Sequence, residues 1–291
     1  GIAPVYADKY MKKGIRMGDL FDFSSLEEKV RDIVEWKNIT VTGYGHDPID
    51  PEEIMNWLKK YGSMLLPYVT DVSNYLYGAL NEEKNIMFEA QLGALRDIDF
   101  GIYPYTSSST TLATYAPIGA GIPGVPVTDI IGIMKAYSTC VGEGPFTVEM
   151  FGEEAERLRA AGGEYGAATG RPRRVGPFDV PASRYGVRMQ GATRIALTKL
   201  DVLSYMDKIP VCVAYEIDGE KTTDFPTGER LKKAKPVIEY LDGFGDVSGC
   251  RTYESLPEAA KRYIMYLEAA VGCWIEYVSV GAGRDEYIRI N

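Results

Sequence analysis

Histidine is almost missing from this sequence, which holds a single one, His46, in 291 residues. The four cysteines, Cys140, Cys212, Cys250 and Cys273, stand far apart and form no C-x-x-C pair. These scarcities exclude a zinc site of the usual spacing and argue against a disulfide framework. A reducing compartment follows, and the cytoplasm is the expected location. No apolar run reaches the length of a membrane span and no signal-peptide pattern opens the chain, so no membrane partner is expected. Positive charge is short too: 32 Lys and Arg against 41 Asp and Glu leave a formal charge of −9. An acidic surface repels polyanions, and nucleic acid is not an expected partner. The G-x-x-x-x-G-K-[ST] phosphate loop is absent as well. The chain opens on Gly1 rather than methionine, from which a longer reading frame is expected.

What is present reads as an α/β protein. The first 84 residues have helical spacing. Ser24 with Glu27 makes a capping box ahead of Leu26, Val30, Ile33 and Val34. Asp50-Pro51-Glu52-Glu53 is a second helix start, followed by the stripe Ile54, Trp57, Leu58 and Tyr61. A third helix is expected through Val69, Val72, Leu76 and Leu80. From residue 85 onward strands enter. Ile86-Met87-Phe88 reads as a short buried strand, Ile130 to Val141 as another, then Ile195 to Leu197 and Trp274 to Val280. Val211 to Tyr215 faces Lys221 to Asp224 across an Asp218-Gly219 turn. Ser255 with Glu258 is expected to cap a helix carrying Ile264 and Leu267. Helices interleaved with apolar strands argue for one α/β domain over 1–291, helical over 1–84 and with its α/β core over 85–291. Ligands bind such sheets where strands run out into loops.

Four segments carry candidate chemistry. In Thr198-Lys199-Leu200-Asp201, a carboxylate at a strand exit can accept both N1–H and the amino group of guanine, a donor pair that adenine lacks. The Lys199 stem can lie over a purine face. A solvated strand exit is the plainer account of the same four residues. Gly166-Ala167-Ala168-Thr169-Gly170-Arg171-Pro172-Arg173-Arg174 puts three guanidinium groups on a glycine-rich loop in an acidic protein, either a basic surface turn or a site for carboxylate or phosphate. Thr106 to Thr111, after Tyr103-Pro104-Tyr105, offers six consecutive hydroxyls, as a phosphate wrap or as a turn. Ser279-Val280-Gly281 leaves a buried strand and carries no signal alone. His46 belongs to a surface turn.

In this order the segments resemble the adenylosuccinate synthetase family. The resemblance runs through Tyr6-Ala7-Asp8-Lys9, Gly14-Ile15-Arg16, Gly18-Asp19-Leu20, Phe88-Glu89-Ala90-Gln91-Leu92-Gly93, Asp97-Ile98-Asp99, Lys135-Ala136-Tyr137-Ser138-Thr139 and Val141-Gly142-Glu143-Gly144-Pro145-Phe146, besides the four segments above. It spans essentially the whole chain. It implies a ligase that joins L-aspartate to IMP with GTP as co-substrate and Mg2+ as cofactor, the first committed step of AMP biosynthesis, in a homodimer. The implied fold resembles that of P-loop NTPases, with a mixed or parallel sheet among helices.

Residue by residue, the resemblance implies that Lys199, Leu200 and Asp201 read guanine beside Ser279, Val280 and Gly281. Ala168, Thr169, Gly170 and Arg171 would hold the aspartate carboxylates, and Arg173 would join that loop to the GTP site. Ser107, Arg171, Val141, Gln91 and Lys12 would contact IMP, Lys12 from the neighbouring subunit. Departures gather on the IMP side: Leu92 stands where a glutamine is expected, Lys12 and Cys140 replace arginines, Ala168 replaces a threonine and Pro177 a tryptophan. Val280 replaces a threonine on the guanine side. The family's Gly-Asp-Glu-Gly-Lys-Gly-Lys phosphate loop, its catalytic base and catalytic histidine have no counterpart here. The expectation is therefore a C-terminal portion without its first strand and phosphate loop, inactive alone, with the Mg2+ ligands and all catalytic residues elsewhere. Two other readings stay open: a non-catalytic guanine-nucleotide-binding or dimerisation module, and a paralogous ligase with another purine nucleotide or amine.

Overall fold

The computed structural model describes residues 1–167 and 170–290 and divides into two compact units. The first comprises Gly1–Phe88 and Ile118–Gly124. It is helical, with a core of Leu20, Leu26, Val30, Val34 and Met55. Helix Phe23–Gly43 buries Leu26, Val30 and Val34 at the spacing of one helical face. Its cap differs from the sequence reading. Asp22 accepts from Ser24 N and Ser25 N at 3.0 and 3.2 Å, because a carboxylate one step earlier reaches two orphan N–H groups at once. Glu27 faces Arg31 at 2.8 Å instead.

Helix Pro51–Trp57 starts as expected, with Asp50 accepting from Glu52 N at 2.9 Å. Its buried residue is Met55, whereas Trp57 is 60% exposed and Tyr61 is also outside. The wider i→i+5 turn at Leu58–Gly62 alters the helical phase, so a 3.6-residue stripe does not continue through it. Gly62 lies in that turn because a Cβ there would meet Leu20 Cδ2 at 2.8 Å. The third helix is Val72–Asn81, capped by Asp71 and burying none of its residues; Val69 precedes it.

The second unit comprises Glu89–Pro117 and Val125–Asn291 and holds every strand described. In chain order these are β1 (Ile131–Lys135), β2 (Ser138–Cys140), β3 (Arg174–Gly176), β4 (Phe178–Asp179), β5 (Arg194–Thr198), β6 (Lys208–Ile217), β7 (Glu220–Thr222), β8 (Lys235–Asp242), β9 (Ile275–Ser279) and β10 (Tyr287–Arg289). One sheet runs β1-β5-β9-β10, parallel except for the antiparallel β9/β10 pair. A second centres on β6, flanked by β4, β7 and β8, and β2/β3 form a separate antiparallel pair. The fold is thus mixed α/β, as the interleaved sequence pattern implies.

Helices Val180–Gln190 and Glu258–Val271 are joined where Arg184 donates twice to Ala270 O, at 3.0 and 2.7 Å. Ile195, Leu197, Leu200, Val211, Tyr263, Ile264, Leu267 and Val278 lie in the main core between helices and strands. Asp218 and Gly219 both take positive φ, 52° and 88°, and close β6 on β7 as the sequence suggests.

Three further expectations need correction. Ile86-Met87-Phe88 is not a strand: it pairs with no described strand and Met87 is 87% exposed, so three apolar residues without a partner ladder remain irregular. The segment from Ile130 to Val141 is two strands rather than one, broken at Ala136-Tyr137 where the chain turns. Helix Glu258–Val271 carries no side-chain cap. Pro257 occupies the cap position, and Ser255 Oγ instead bonds the local turn, accepting from Thr252 N at 3.2 Å and donating to Thr252 O at 2.7 Å. No helix among the described residues is long and apolar enough to cross a membrane.

Candidate functional site

Two parallel strands run out side by side. After β5 the chain turns at Lys199, which adopts a positive φ of 61°. Lys199 N then donates to Ser279 Oγ and Leu200 N to Ser279 O, each at 3.2 Å. Ser279 Oγ in turn donates to Gly281 O at 3.2 Å. Gly281 is small because a Cβ there would collide with the Glu286 carboxylate. The buried side chains of Leu200 and Val280 anchor the two exits in the core. Lys199, Leu200, Asp201, Ser279, Val280 and Gly281 are therefore one cluster, although no single segment announced it.

Asp201 opens a short 3-10 turn, Asp201–Leu203. Its Oδ1 is buried and accepts no hydrogen bond from the described residues. Burial pushes the carboxyl above its usual range, opposed by its own backbone N–H and the Lys199 charge; Glu286 and Asp246 push it further up. A buried carboxylate oxygen without a donor is costly and is an available acceptor.

The basic loop lies next along. Helix Gly152–Gly162 ends in the left-handed residue Gly163. The loop that follows is pinned at its neck by Arg173 N to Glu164 O at 2.9 Å and Gly166 N to Arg171 O at 2.8 Å. Gly170 N closes back on Gly166 O at 2.7 Å. Gly170 and Arg171 are exposed at the tip, while Ala168 and Thr169 fall outside the described residues. The three arginines do not act together. Arg174 is drawn away to Glu149 at 2.5 Å and to Gly144 O at 2.8 Å, because it belongs to β3, whose pairing with β2 turns it from the loop.

Arg173 reaches Glu164, a fully buried carboxylate that sequence reasoning missed. Lys135 Nζ donates to Glu164 at 2.8 Å and the Tyr137 hydroxyl at 2.5 Å; Lys199 Nζ lies 3.5 Å away. Burial works against ionising Glu164, but the hydrogen bonds from Lys135 and Tyr137 and the charges of Lys135 and Lys199 hold its carboxyl below the usual range. Burial lowers the Lys135 ammonium, which Glu164 opposes, while Arg173 and Lys199 lower it further. The neighbouring cations favour the ionised form of Glu164, since each opposes the penalty of its burial. Its only advance sign was an acidic residue between a Gly-Gly helix end and a run of arginines.

The hydroxyl loop is organised by Asp97, also fully buried. Asp97 Oδ1 accepts from Asp99 N and Phe100 N, both at 3.0 Å, and Oδ2 accepts from Thr111 N at 2.7 Å. The six hydroxyls do not form one wrap. Thr111 Oγ1 turns inward to Gly93 O at 2.7 Å, since its backbone is already tied to Asp97. Ser107 is half-buried; its N–H donates to Arg96 O at 2.8 Å and its Oγ meets Ser109 Oγ at 2.9 Å. Arg96 also donates to Tyr105 O and, at 2.8 Å, to Val141 O, so Val141 and the Ser107 loop share one guanidinium. Gln91 and Leu92 are exposed, Leu92 at a positive φ of 76°. Lys12 and His46 are exposed in the helical unit. Among the described residues no group of three or more His, Cys, Asp or Glu side chains could hold a metal ion.

Comparison with known proteins gives the family of the chain. Residues 1–288 match the family model of adenylosuccinate synthetase. The adenylosuccinate synthetase of Cutibacterium acnes is 45% identical over 294 residues, which cover all of this chain and 69% of that protein. Those of Bifidobacterium adolescentis and Caldanaerobacter subterraneus are each 44% identical over the same share. The structure of fully ligated adenylosuccinate synthetase from Plasmodium falciparum superposes with a TM-score of 0.92 at 33% identity, again over 100% of this chain and 69% of that one. The chain belongs to the adenylosuccinate synthetase family of ligases.

Proposed function

We propose that this chain serves the joining of L-aspartate to IMP at the expense of GTP. The observation that carries the reading is the Asp201 Oδ1, buried and without a donor beside the Lys199–Ser279 contact. Guanine offers N1–H and an amino group on one edge, which a carboxylate accepts together. Adenine presents an acceptor at N1 and leaves the carboxylate unsatisfied. The Lys199 stem and Ser279 to Gly281 line the base, and Arg173 ties the neighbouring loop to the same strand end.

The chemistry divides into two steps. The γ-phosphoryl group of GTP passes to O6 of IMP, which turns a poor leaving group into a good one. GDP and the N1 proton leave in that step; the aspartate amine then attacks C6, the C6–O6 bond breaks, inorganic phosphate leaves and the new C–N nitrogen loses a proton, giving adenylosuccinate. In this reading Arg171, exposed at the loop tip, holds an aspartate carboxylate with its planar fork, and Gly170 lets the backbone approach. Ser107 and Val141, tied through Arg96, take the IMP side. Magnesium neutralises phosphate charge in such transfers. The described residues offer no donor cluster for it, and none of these roles depends on one.

Calorimetric titration tests the reading. GDP is expected to bind more tightly than ADP, and Asp201→Ala to weaken GDP by tenfold or more, roughly 1.4 kcal/mol, while leaving ADP unchanged. Equal affinities of the protein for GDP and ADP would sink it.

A further inference from the structure

Glu164 is the point where the guanine-reading strand end meets the arginine loop. Three donors and a further cation converge on its two oxygens. Lys135 Nζ and the Tyr137 hydroxyl bond Oε1 at 2.8 and 2.5 Å, Lys199 Nζ lies 3.5 Å from Oε1, and Arg173 NH1 takes Oε2 at 2.9 Å. Each comes from a different place: Lys135 ends β1, Tyr137 is in the turn after it, Lys199 follows β5, and Arg173 closes the loop. Lys199 Nζ is also held by Gly162 O at 2.5 Å, on the last turn of the helix that leads to Glu164.

A buried carboxylate is expensive unless paired, and one cation is enough to pair it. Here Lys135, Arg173 and Lys199 face a single carboxylate, a surplus of two positive charges. All three remain partly open to solvent, with side-chain exposures of 25, 33 and 37%, while Glu164 has none. The carboxylate is thus an internal clamp that gathers three partly exposed cations around one buried point.

We infer that Glu164 is a positioning residue that couples guanine-nucleotide binding to L-aspartate binding, by holding Lys199 through one oxygen and Arg173 through the other. The inference rests on the proposed ligase function for the ligands on either side. A purine laid along the Lys199 stem alters how that ammonium shares Oε1 with Lys135 and Tyr137. The carboxylate is rigid, so its other oxygen moves with it and re-aims Arg173, and with it the loop that carries Arg171. Linkage requires the reverse effect to be equal: aspartate on the loop tightens the nucleotide by the same factor.

The test measures GDP affinity of the protein by calorimetry, with and without saturating L-aspartate plus IMP. Wild type is expected to bind GDP about fivefold or more tightly when the loop is occupied. Glu164→Gln, which keeps the shape and removes the charge, is expected to bring that factor to about one, whatever its GDP affinity alone. Arg173→Lys leaves Glu164 intact but loses the guanidinium fork, and is expected to lose the coupling too; it stands in if Glu164→Gln does not fold. Wherever turnover is measured, Glu164→Gln is expected to raise KM for aspartate about tenfold with a smaller change in kcat. A coupling factor that stays at the wild-type value in both variants, or that is already one in wild type, would overturn the inference. So would a variant that lowers only the melting temperature. Preference for GDP over ADP, measured in the same titrations, separates the two levels. If it is absent, the ligase reading fails; if it is present and the coupling does not move, only the role of Glu164 fails.

Discussion

The backbone N–H of Lys199 donates to the side chain of Ser279 at 3.2 Å, across 80 positions of sequence. This contact sets two strand exits edge to edge and leaves Asp201 behind them with a buried, unpaired oxygen. Asparagine at this position keeps the shape but offers one acceptor and one donor, the complement of adenine's edge rather than guanine's. Asp201→Asn should therefore lower GDP affinity at least tenfold and raise ADP affinity, narrowing or reversing the preference in competition titrations. Burial holds the Asp201 carboxyl above its usual range, so its ionisation opposes folding at neutral pH. The same variant should thus melt at or above the wild-type temperature, and a clear drop in melting temperature would show that the carboxylate has a partner the contacts do not reveal.

Asp179 gives a second, independent prediction. It is buried at the start of helix Val180–Gln190, accepts from Ala182 N at 3.1 Å and from the Tyr215 hydroxyl at 2.6 Å, and lies beside Cys212. Burial raises its carboxyl from 3.8 to about 6, against both hydrogen bonds. The folded state thus binds the proton more tightly than the unfolded chain, so this group's contribution is full below pH 4 and is lost as pH rises through 6. The loss amounts to as much as about 3 kcal/mol. Asparagine caps helices well and still meets Tyr215, but does not titrate. Denaturant titrations of wild type and Asp179→Asn should diverge between pH 4 and pH 7, in favour of the variant at the higher pH. Parallel curves across that window would contradict the buried-acid account.

Gly162 and Gly163 separate packing from site geometry. A Cβ on Gly162 would collide with the Tyr137 hydroxyl and meet Glu164 Cγ at 3.1 Å. Tyr137 is buried and cannot swing aside. A Cβ on Gly163 would touch nothing within 4 Å, but its φ of 60° is strained for alanine. Both alanine variants should cost stability, about 1–3 kcal/mol for the first and about 1 kcal/mol for the second. Only Gly162→Ala should also reduce the affinity for aspartate, since only it displaces a hydrogen bond to Glu164. Equal effects of the two variants on aspartate affinity would break the link.

Local chemistry was legible wherever it acts within a few residues. Asp50 ahead of Pro51, and Asp218-Gly219 between alternating strands, impose their backbone geometry without help from elsewhere. From the residues alone the guanine-side cluster was legible only as two separate strand exits, which the family resemblance joined; their union depends on β5 and β9 being parallel neighbours, which no short segment encodes. Glu164 was not legible, because Lys135 reaches it from 29 positions upstream and its burial arises only when three elements close over it. Ile86-Met87-Phe88 misled for the opposite reason. Three apolar residues look alike whether or not a partner strand exists, and here none of the described strands pairs with them. Capping was misread twice, at Ser24 and Ser255, because a neighbouring residue captured the helix start.

Asp97 carries the last prediction. One fully buried carboxylate accepts three backbone N–H groups, from Asp99, Phe100 and Thr111, and so closes the loop that carries Ser107. Gly101 must be glycine for the same turn, since a Cβ there would collide with the backbone oxygens of Asp97 and Leu95. Asp97→Asn keeps one acceptor oxygen for Asp99 and Phe100 but turns an amide donor toward Thr111 N–H, donor against donor. The cost is a lost charge-assisted hydrogen bond plus a buried unsatisfied N–H, about 2–4 kcal/mol. The effect on binding should be selective. Ser107 hangs from Arg96 O within this loop, whereas Lys199 and Asp201 do not touch it, so affinity for IMP should fall several-fold while GDP affinity stays near wild type. Titrating both nucleotides against Asp97→Asn at a temperature well below its melting point reads the two effects separately. A loss of GDP affinity as large as that of IMP would mean that the Asp97 loop supports the whole strand-end cluster rather than the Ser107 side alone.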